Sequence, residues 1–223
     1  QVLTGVGSVS GLSSGQVMIE VAGLQKTVNL TPTSANSGQY RATLMDLADP
    51  SSQFKFTVGQ QVEANVWVGD TILESAPVEI LTSAEISSGL VEIAPIILRP
   101  ELVVVDVDES DKITLASLYV GLEHQRKLRL KNEGSAELVI YGISSSQPES
   151  LRVTAEYPIT IPPAALGNNT VDFNLSLQPS SLAGLSSQLT IHSNDTDNPN
   201  LAITVEAEVV ASPVAETTQV LTV

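Results

Sequence analysis

From Val171 to Leu177 the chain trades apolar for polar at every step, with Val171, Phe173, Leu175 and Leu177 on one side and Asp172, Asn174 and Ser176 on the other. Successive side chains of an extended backbone point to opposite faces, so this period of two predicts a strand with one buried face and one wet face. The same period runs through Leu201, Ile203, Val205, Ala207 and Val209, and through Leu128 and Leu130 set between Lys127, Arg129 and Lys131. In the first half Val17, Ile19 and Val21 share a face, as do Phe54, Phe56 and Val58, and then Val62, Ala64, Val66 and Val68. Each run predicts a short strand. Between them stand turn formers: Thr33 to Gly38, Ala48 to Ser52, and Asn194 to Pro199. No window carries a convincing helical period, and only Ser180 to Gly184 offers a single helical turn.

The alternation breaks near Leu98 to Glu101, where Pro100 interrupts it and an acid-rich stretch to Asp111 follows. The expected organisation is one domain over residues 1–99, a second over 100–211, and a tail or linker over 212–223. About six or seven short strands precede the break and about seven follow, the spacing of β-sandwiches rather than of βαβ units.

Composition narrows the function. Ten basic residues against 25 acidic ones give a formal charge of -15, which repels phosphate backbones and anionic headgroups, so neither nucleic acid nor membrane is an expected partner. No apolar run reaches the roughly 20 residues that cross a bilayer. The chain has no cysteine, which excludes disulfides, thiolate metal sites and a Cys nucleophile.

From about Pro100 to Ala211 several ordered phrases resemble the immunoglobulin-like repeats called choice-of-anchor D domains, relatives of the ASH and hydin-type domains. They are Val120-Gly121, the run Leu128 to Ile140 around Asn132-Glu133-Gly134, the run Phe173 to Pro179, and Leu189 to Pro199 around Ser193-Asn194-Asp195. Leu118-Tyr119 stands where the family usually has an aromatic-glycine pair. A slighter likeness to carboxypeptidase-regulatory-like and other bacterial immunoglobulin-like modules lies in Ser37 to Tyr40 and Phe56 to Gly59. The resemblance implies an all-β chain of two tandem immunoglobulin-like β-sandwich domains, from bacterial surface or secreted proteins that are generally not enzymes. Independently of it, Asn132 and Gly134 lie between two alternating runs, where an amide side chain can mimic a turn hydrogen bond and glycine can take positive φ.

Candidate chemistry is sparse. Gly11-Leu12-Ser13-Ser14-Gly15 fits the G-x-S-x-G pattern, but an alternating run follows it where a nucleophile elbow requires a helix. His124 and His192 are isolated and make no metal spacing. Asp106, Asp108 and Asp111, with Glu109, supply hard oxygen ligands within six residues, the local supply that Ca²⁺ needs. Asp106 and Asp108 also read as the outward residues of a strand. Asn194, Asp195 and Asp197 offer a second, poorer set that reads first as a turn. Trp67 is out of phase with the buried run around it and falls with Glu63 and Asn65, where a tryptophan can stack on a sugar, anchor a protein, or pack against a neighbouring loop or domain. Asn29, Asn168, Asn174 and Asn194 each open an N-x-Ser/Thr sequence, common by chance in a Ser/Thr-rich chain.

The expectation is a non-catalytic structural or adhesive module, extracellular or on the cell surface, that spaces or presents other domains. Its expected partner is a protein or a surface polysaccharide. The alternative is a carbohydrate-binding accessory module using Trp67, Glu63 and Asn65, with Ca²⁺ at Asp106, Asp108 and Asp111 as its one candidate cofactor. Exposed edge strands leave the oligomeric state open.

Overall fold

A computed structural model describes residues 2–35, 37–45 and 56–213. The chain forms two compact units. Of the described residues, the first takes those up to Glu101 together with Asn132–Leu138 and Pro162–Asn169, and the second takes Leu102–Lys131, Val139–Ile161 and those from Thr170 to residue 213.

In the first unit the alternating runs become strands β1 (Val2–Ser10), β2 (Gln16–Val21), β3 (Leu24–Asn29), β4 (Thr31–Ser34), β5 (Ser37–Met45), β6 (Gln61–Val68), β7 (Thr71–Ser75), β8 (Glu79–Ile80), β9 (Leu90–Glu92) and β10 (Ile96–Ile97). One sheet has the order β10-β1-β5-β4 with β9 also on β1, and the other β3-β2-β6-β7 with β8 on β6. Val17, Ile19, Val21, Val62 and Val66 of one sheet and Leu3, Val9 and Ala42 of the other are wholly buried and belong to a single cluster. Each such aliphatic side chain contributes roughly 1.5–3 kcal/mol by leaving water, so the period of two carries most of the stability.

Two expectations fail in this unit. The expected strand around Phe54, Phe56 and Val58 lies partly outside the described residues. In the described part Phe56 is buried, but Thr57 to Gln60 closes a turn and Val58 is 65% exposed. A helix also forms where none was expected, α1 (Ser83–Ser88). Its start is a capping box: the Thr82 hydroxyl accepts from the Glu85 amide, and the Glu85 carboxylate accepts from the Thr82 amide at 2.7 Å. Gly89 at φ 69° ends it in the left-handed region that glycine adopts without strain. Thr82-x-x-Glu85 and Gly89 were legible as start and stop signals. A helix of 6 residues is too short to show a period.

The second unit comprises β11 (Leu102–Val104), β12 (Lys112–Tyr119), β13 (His124–Asn132), β14 (Leu138–Ser145), β15 (Leu151–Val153), β16 (Ile159–Ile161), β17 (Thr170–Leu177), β18 (Leu185–Ser193) and β19 (Asn200–Val210). Its sheets run β11-β13-β17-β15 and β12-β19-β18-β14-β16. The inward residues of the predicted strands, Leu128, Leu130, Leu175, Leu177, Ile203 and Val205, are all 0% exposed. Ser180 to Gly184 forms turns rather than a helical turn.

Each unit pairs an early strand in parallel with its last, β1 with β9 and β10 in the first, and β12 with β19 in the second. Hairpins alone cannot produce a parallel pair, because the chain must cross from sheet to sheet before it returns. That crossing makes each unit a two-layer sandwich of immunoglobulin type.

Candidate functional site

The outward face of β6 carries the row expected from the sequence. Glu63 is exposed and stands in register with Glu20 of β2. Asn65 stands between Met18 and Ser75, and its side-chain oxygen accepts from the Ser75 hydroxyl. Trp67 lies between Gln16 and Ile72. The three therefore share one face at the roughly 6.7 Å repeat of alternate strand residues. Trp67 is half-buried, with its indole Nε1 buried and without a hydrogen-bond partner, so much of the ring packs into the sheet surface.

The acidic stretch is organised by its own backbone. Asp108 Oδ1 accepts from the amides of Ser110 at 2.8 Å and Lys112 at 3.1 Å, closing a turn in which Asp111 takes φ 54°. Asp106 is exposed, and its charge adds to that of Asp172 in raising the pKa of Arg129. Among the described residues no three His, Asp or Glu side chains gather as a metal site.

Both histidines are engaged locally. The Tyr119 amide donates to His124 Nε2 at 3.0 Å, and the two rings stack. His192 Nδ1 lies 2.7 Å from Asn200 Oδ1, and its Nε2 lies 3.1 Å from the Ser144 hydroxyl. An amide oxygen only accepts, so Nδ1 is the donor to Asn200. The Gly11 to Gly15 motif is a turn that leads into β2, with no helix behind Ser13.

The two Asn/Asp motifs of the second half hold backbone. Asn132 is 0% exposed, and its Oδ1 accepts from the amides of Glu101 at 3.2 Å and Gly134 at 3.0 Å. Its Nδ2 donates to the carbonyls of Ala136 at 2.8 Å and Pro162 at 3.0 Å. Gly134 is needed for space rather than for the positive φ expected of it. A Cβ there would fall 2.6 Å from the Glu101 nitrogen and collide with the Arg99 carbonyl. Asp195 is 3% exposed; one carboxylate oxygen accepts from the Leu102 amide at 2.8 Å, and the other from the amides of Asp197 and Asn198. Asn194 Oδ1 accepts from the Val139 amide at 2.7 Å.

A recess in the first unit was not foreseen from the sequence. Along β1 the pairing passes from Val6 to Val9 while its partner strand passes from Glu92 to Ile96, one residue further. The surplus around Ile93 to Pro95 leaves the ladder and opens a groove of about 620 Å³. Arg41 and Glu92 stand on either side of Val6, each its register partner, about 10 Å apart at the two-strand spacing. Tyr40, 3% exposed, lays its ring over Gly7, where a Cβ would come within 2.5 Å of the ring carbon Cζ. Its hydroxyl is buried without a hydrogen-bond partner, and burial pushes its pKa up to about 12. Tyr40 and Gly7 both line the groove. In the sequence Thr33 to Gly38 reads as a turn and Ser37 to Tyr40 only as a likeness to bacterial modules, because a groove opened by a register slip between distant strands leaves no local signal.

No family model matches the chain, and no curated protein does. Among solved structures, it is similar to a Porphyromonas gingivalis protein of unknown function, at 12% identity and TM-score 0.39, over 93% of this chain and 98% of that one. It is similar to the ASH/PapD-like domain 7 of human CEP192, at 10% identity and TM-score 0.38, over 52% of this chain and 87% of that one. It is also similar to the Yersinia pseudotuberculosis adhesin InvE, at 13% identity and TM-score 0.32, over 95% of this chain and 60% of that one. These likenesses concern fold alone. Strand order and pairing define the class: an all-β protein of two immunoglobulin-like β-sandwich units.

Proposed function

We propose that this chain is a non-catalytic structural or adhesive module of a secreted or cell-surface protein, spacing or presenting neighbouring domains, and that its second half is of the choice-of-anchor D kind. The supporting observation is the use of its polar side chains. Asn132, Asp195, Asp108, His124 and His192 are each bound to backbone or to neighbours within their own unit. A scaffold uses such groups to fix its loops, whereas a catalytic group must be able to reach a substrate.

The test is proteolytic shaving of intact cells that make the full-length parent, followed by an antibody to this chain. Loss of signal from intact cells, or recovery of the protein in the medium, is expected. Signal that survives shaving and disappears only after lysis overturns the reading.

A second reading, a carbohydrate-binding accessory module, is favoured by the groove over Val6 and Gly7 and by the row Glu63, Asn65 and Trp67. Silence on a glycan array would remove it.

A further inference from the structure

We infer that the first unit does not stand alone: segments from the second half of the chain complete it, so the second unit cannot unfold while the first stays intact. The segments are Asn132–Leu138 and Pro162–Asn169. Ala136 belongs to the core cluster of the first unit, together with Ile96 and Leu98. Arg99 is held on both sides, its amide donating to the Ser135 hydroxyl at 3.2 Å and its carbonyl accepting from the amides of Ser135 at 2.8 Å and Ala136 at 3.0 Å. The Glu101 amide donates to Asn132 Oδ1, and its carbonyl accepts from the Glu133 amide at 2.9 Å. The two segments also hold each other. The Ala164 amide donates to the Gly134 carbonyl at 3.0 Å and the Asn132 amide to the Asn169 carbonyl at 2.9 Å, while Asn169 Nδ2 donates back to the Asn132 carbonyl at 2.7 Å. The 3₁₀ turn Ala164–Leu166 lies beside β7.

Each segment is continuous with strands of the second unit. Lys131 and Asn132 are successive residues of β13, and Leu138 and Val139 of β14; Pro162 follows the last residue of β16, and Asn169 precedes the first of β17. A folded second unit therefore supplies both segments with their ends already ordered. With the second unit unfolded, an intact first unit would have to keep both segments ordered by their own contacts and close loops over residues 102–131 and 139–161, at a cost in conformational entropy. Releasing the segments instead takes Ala136 from the core and strips the backbone groups of Arg99 and the Glu101 amide of these partners. Unfolding the first unit asks much less, since it leaves the second with two longer loops. The order of opening follows: the first unit alone, or both together. For a module that spaces its neighbours, the first unit then exists only as an extension of the second.

The test is native-state hydrogen exchange of the whole chain, read by mass spectrometry on peptides from β2 and β6 in the first unit and from β18 and β19 in the second. Ile19→Val removes one methylene from a wholly buried position of the first unit and should speed exchange in β2 and β6 about fivefold. The slowest amides of β18 and β19 should speed up by the same factor, because they open only when the first unit has unfolded with them. Val62→Ala, a larger deletion in the same cluster, should accelerate both sets by a greater and again equal factor. If the slowest amides of β18 and β19 stay within twofold of their parent rate while β2 and β6 accelerate, the two units open independently and the proposal fails. First-unit amides that outlast the slowest of the second unit would overturn it too, since the first unit would then be standing alone.

Discussion

Replacing Asn132 by alanine should be among the most damaging single changes available to the first unit. The side chain is fully buried and bonds four backbone groups: it accepts from Glu101 and Gly134 and donates to Ala136 and Pro162. At about 1 kcal/mol net for each, the loss is about 4 kcal/mol, and more if water cannot reach the two amides and two carbonyls left behind. Urea unfolding followed by fluorescence reads this directly, because Trp67 is the single tryptophan and belongs to the same unit. With a slope of about 2 kcal/mol/M, the midpoint should fall by about 2 M. Asn132→Asp keeps the acceptor for the two amides but turns a carboxylate oxygen toward two carbonyls, so it should be no more stable than the alanine variant. A midpoint within about 0.5 M of the parent, equivalent to about 1 kcal/mol, would show that the buried amide is not what holds these loops.

Tyr40→Phe should raise stability by about 1 kcal/mol, since it keeps the ring over Gly7 and removes a buried hydroxyl that has no partner; a loss of that size in thermal melts would mean the hydroxyl is satisfied. In the parent, Tyr40 should ionise near pH 12 by phenolate absorbance. Its folded pKa lies above the ordinary value of 10.0, so the stability tied to the neutral phenol is complete below pH 10 and is lost as pH rises toward 12. Asp172 is held at about 2 by the guanidinium of Arg129, whose Nε donates to it at 2.6 Å. Because this folded pKa lies below the ordinary 3.8, the stability it adds is complete above that value and is lost as pH falls through about 2; a carboxyl NMR titration centred near 3.8 would contradict this. Millimolar Ca²⁺ should leave the melting temperature unchanged, because Asp108 Oδ1 already serves two amides. A rise that Asp106→Asn with Asp108→Asn abolishes would instead establish calcium at Asp106, Asp108 and Asp111.

Strands with a buried aliphatic face were legible one at a time. The runs Val17 to Val21, Val62 to Val66, Phe173 to Leu177 and Ile203 to Val209 bury the side that alternation assigns to the core. Alternation failed where a run was short or served two purposes. Phe56 is buried, yet two residues later Val58 is 65% exposed in a turn, since a lone apolar residue beside Gly59 does not make a strand. It also placed Trp67 with Glu63 and Asn65, but it could not say how far the indole sinks into the sheet. That depends on Gln16 and Ile72 across two strand pairs.

What the sequence determined by itself is whatever repeats over two or four residues: strand identity, the inward face, the Asx and glycine turns, and the capping box at Thr82 that was there to be read. Tertiary structure decided which strands meet. The parallel return of β9 and β10 onto β1, the one-residue slip that opens the groove at Gly7, and the gathering of Asn132 to Leu138 with Arg99 to Glu101 all join segments at least 30 residues apart. Register between distant strands follows from how whole faces pack against each other, and a local pattern of residues carries no record of its partner.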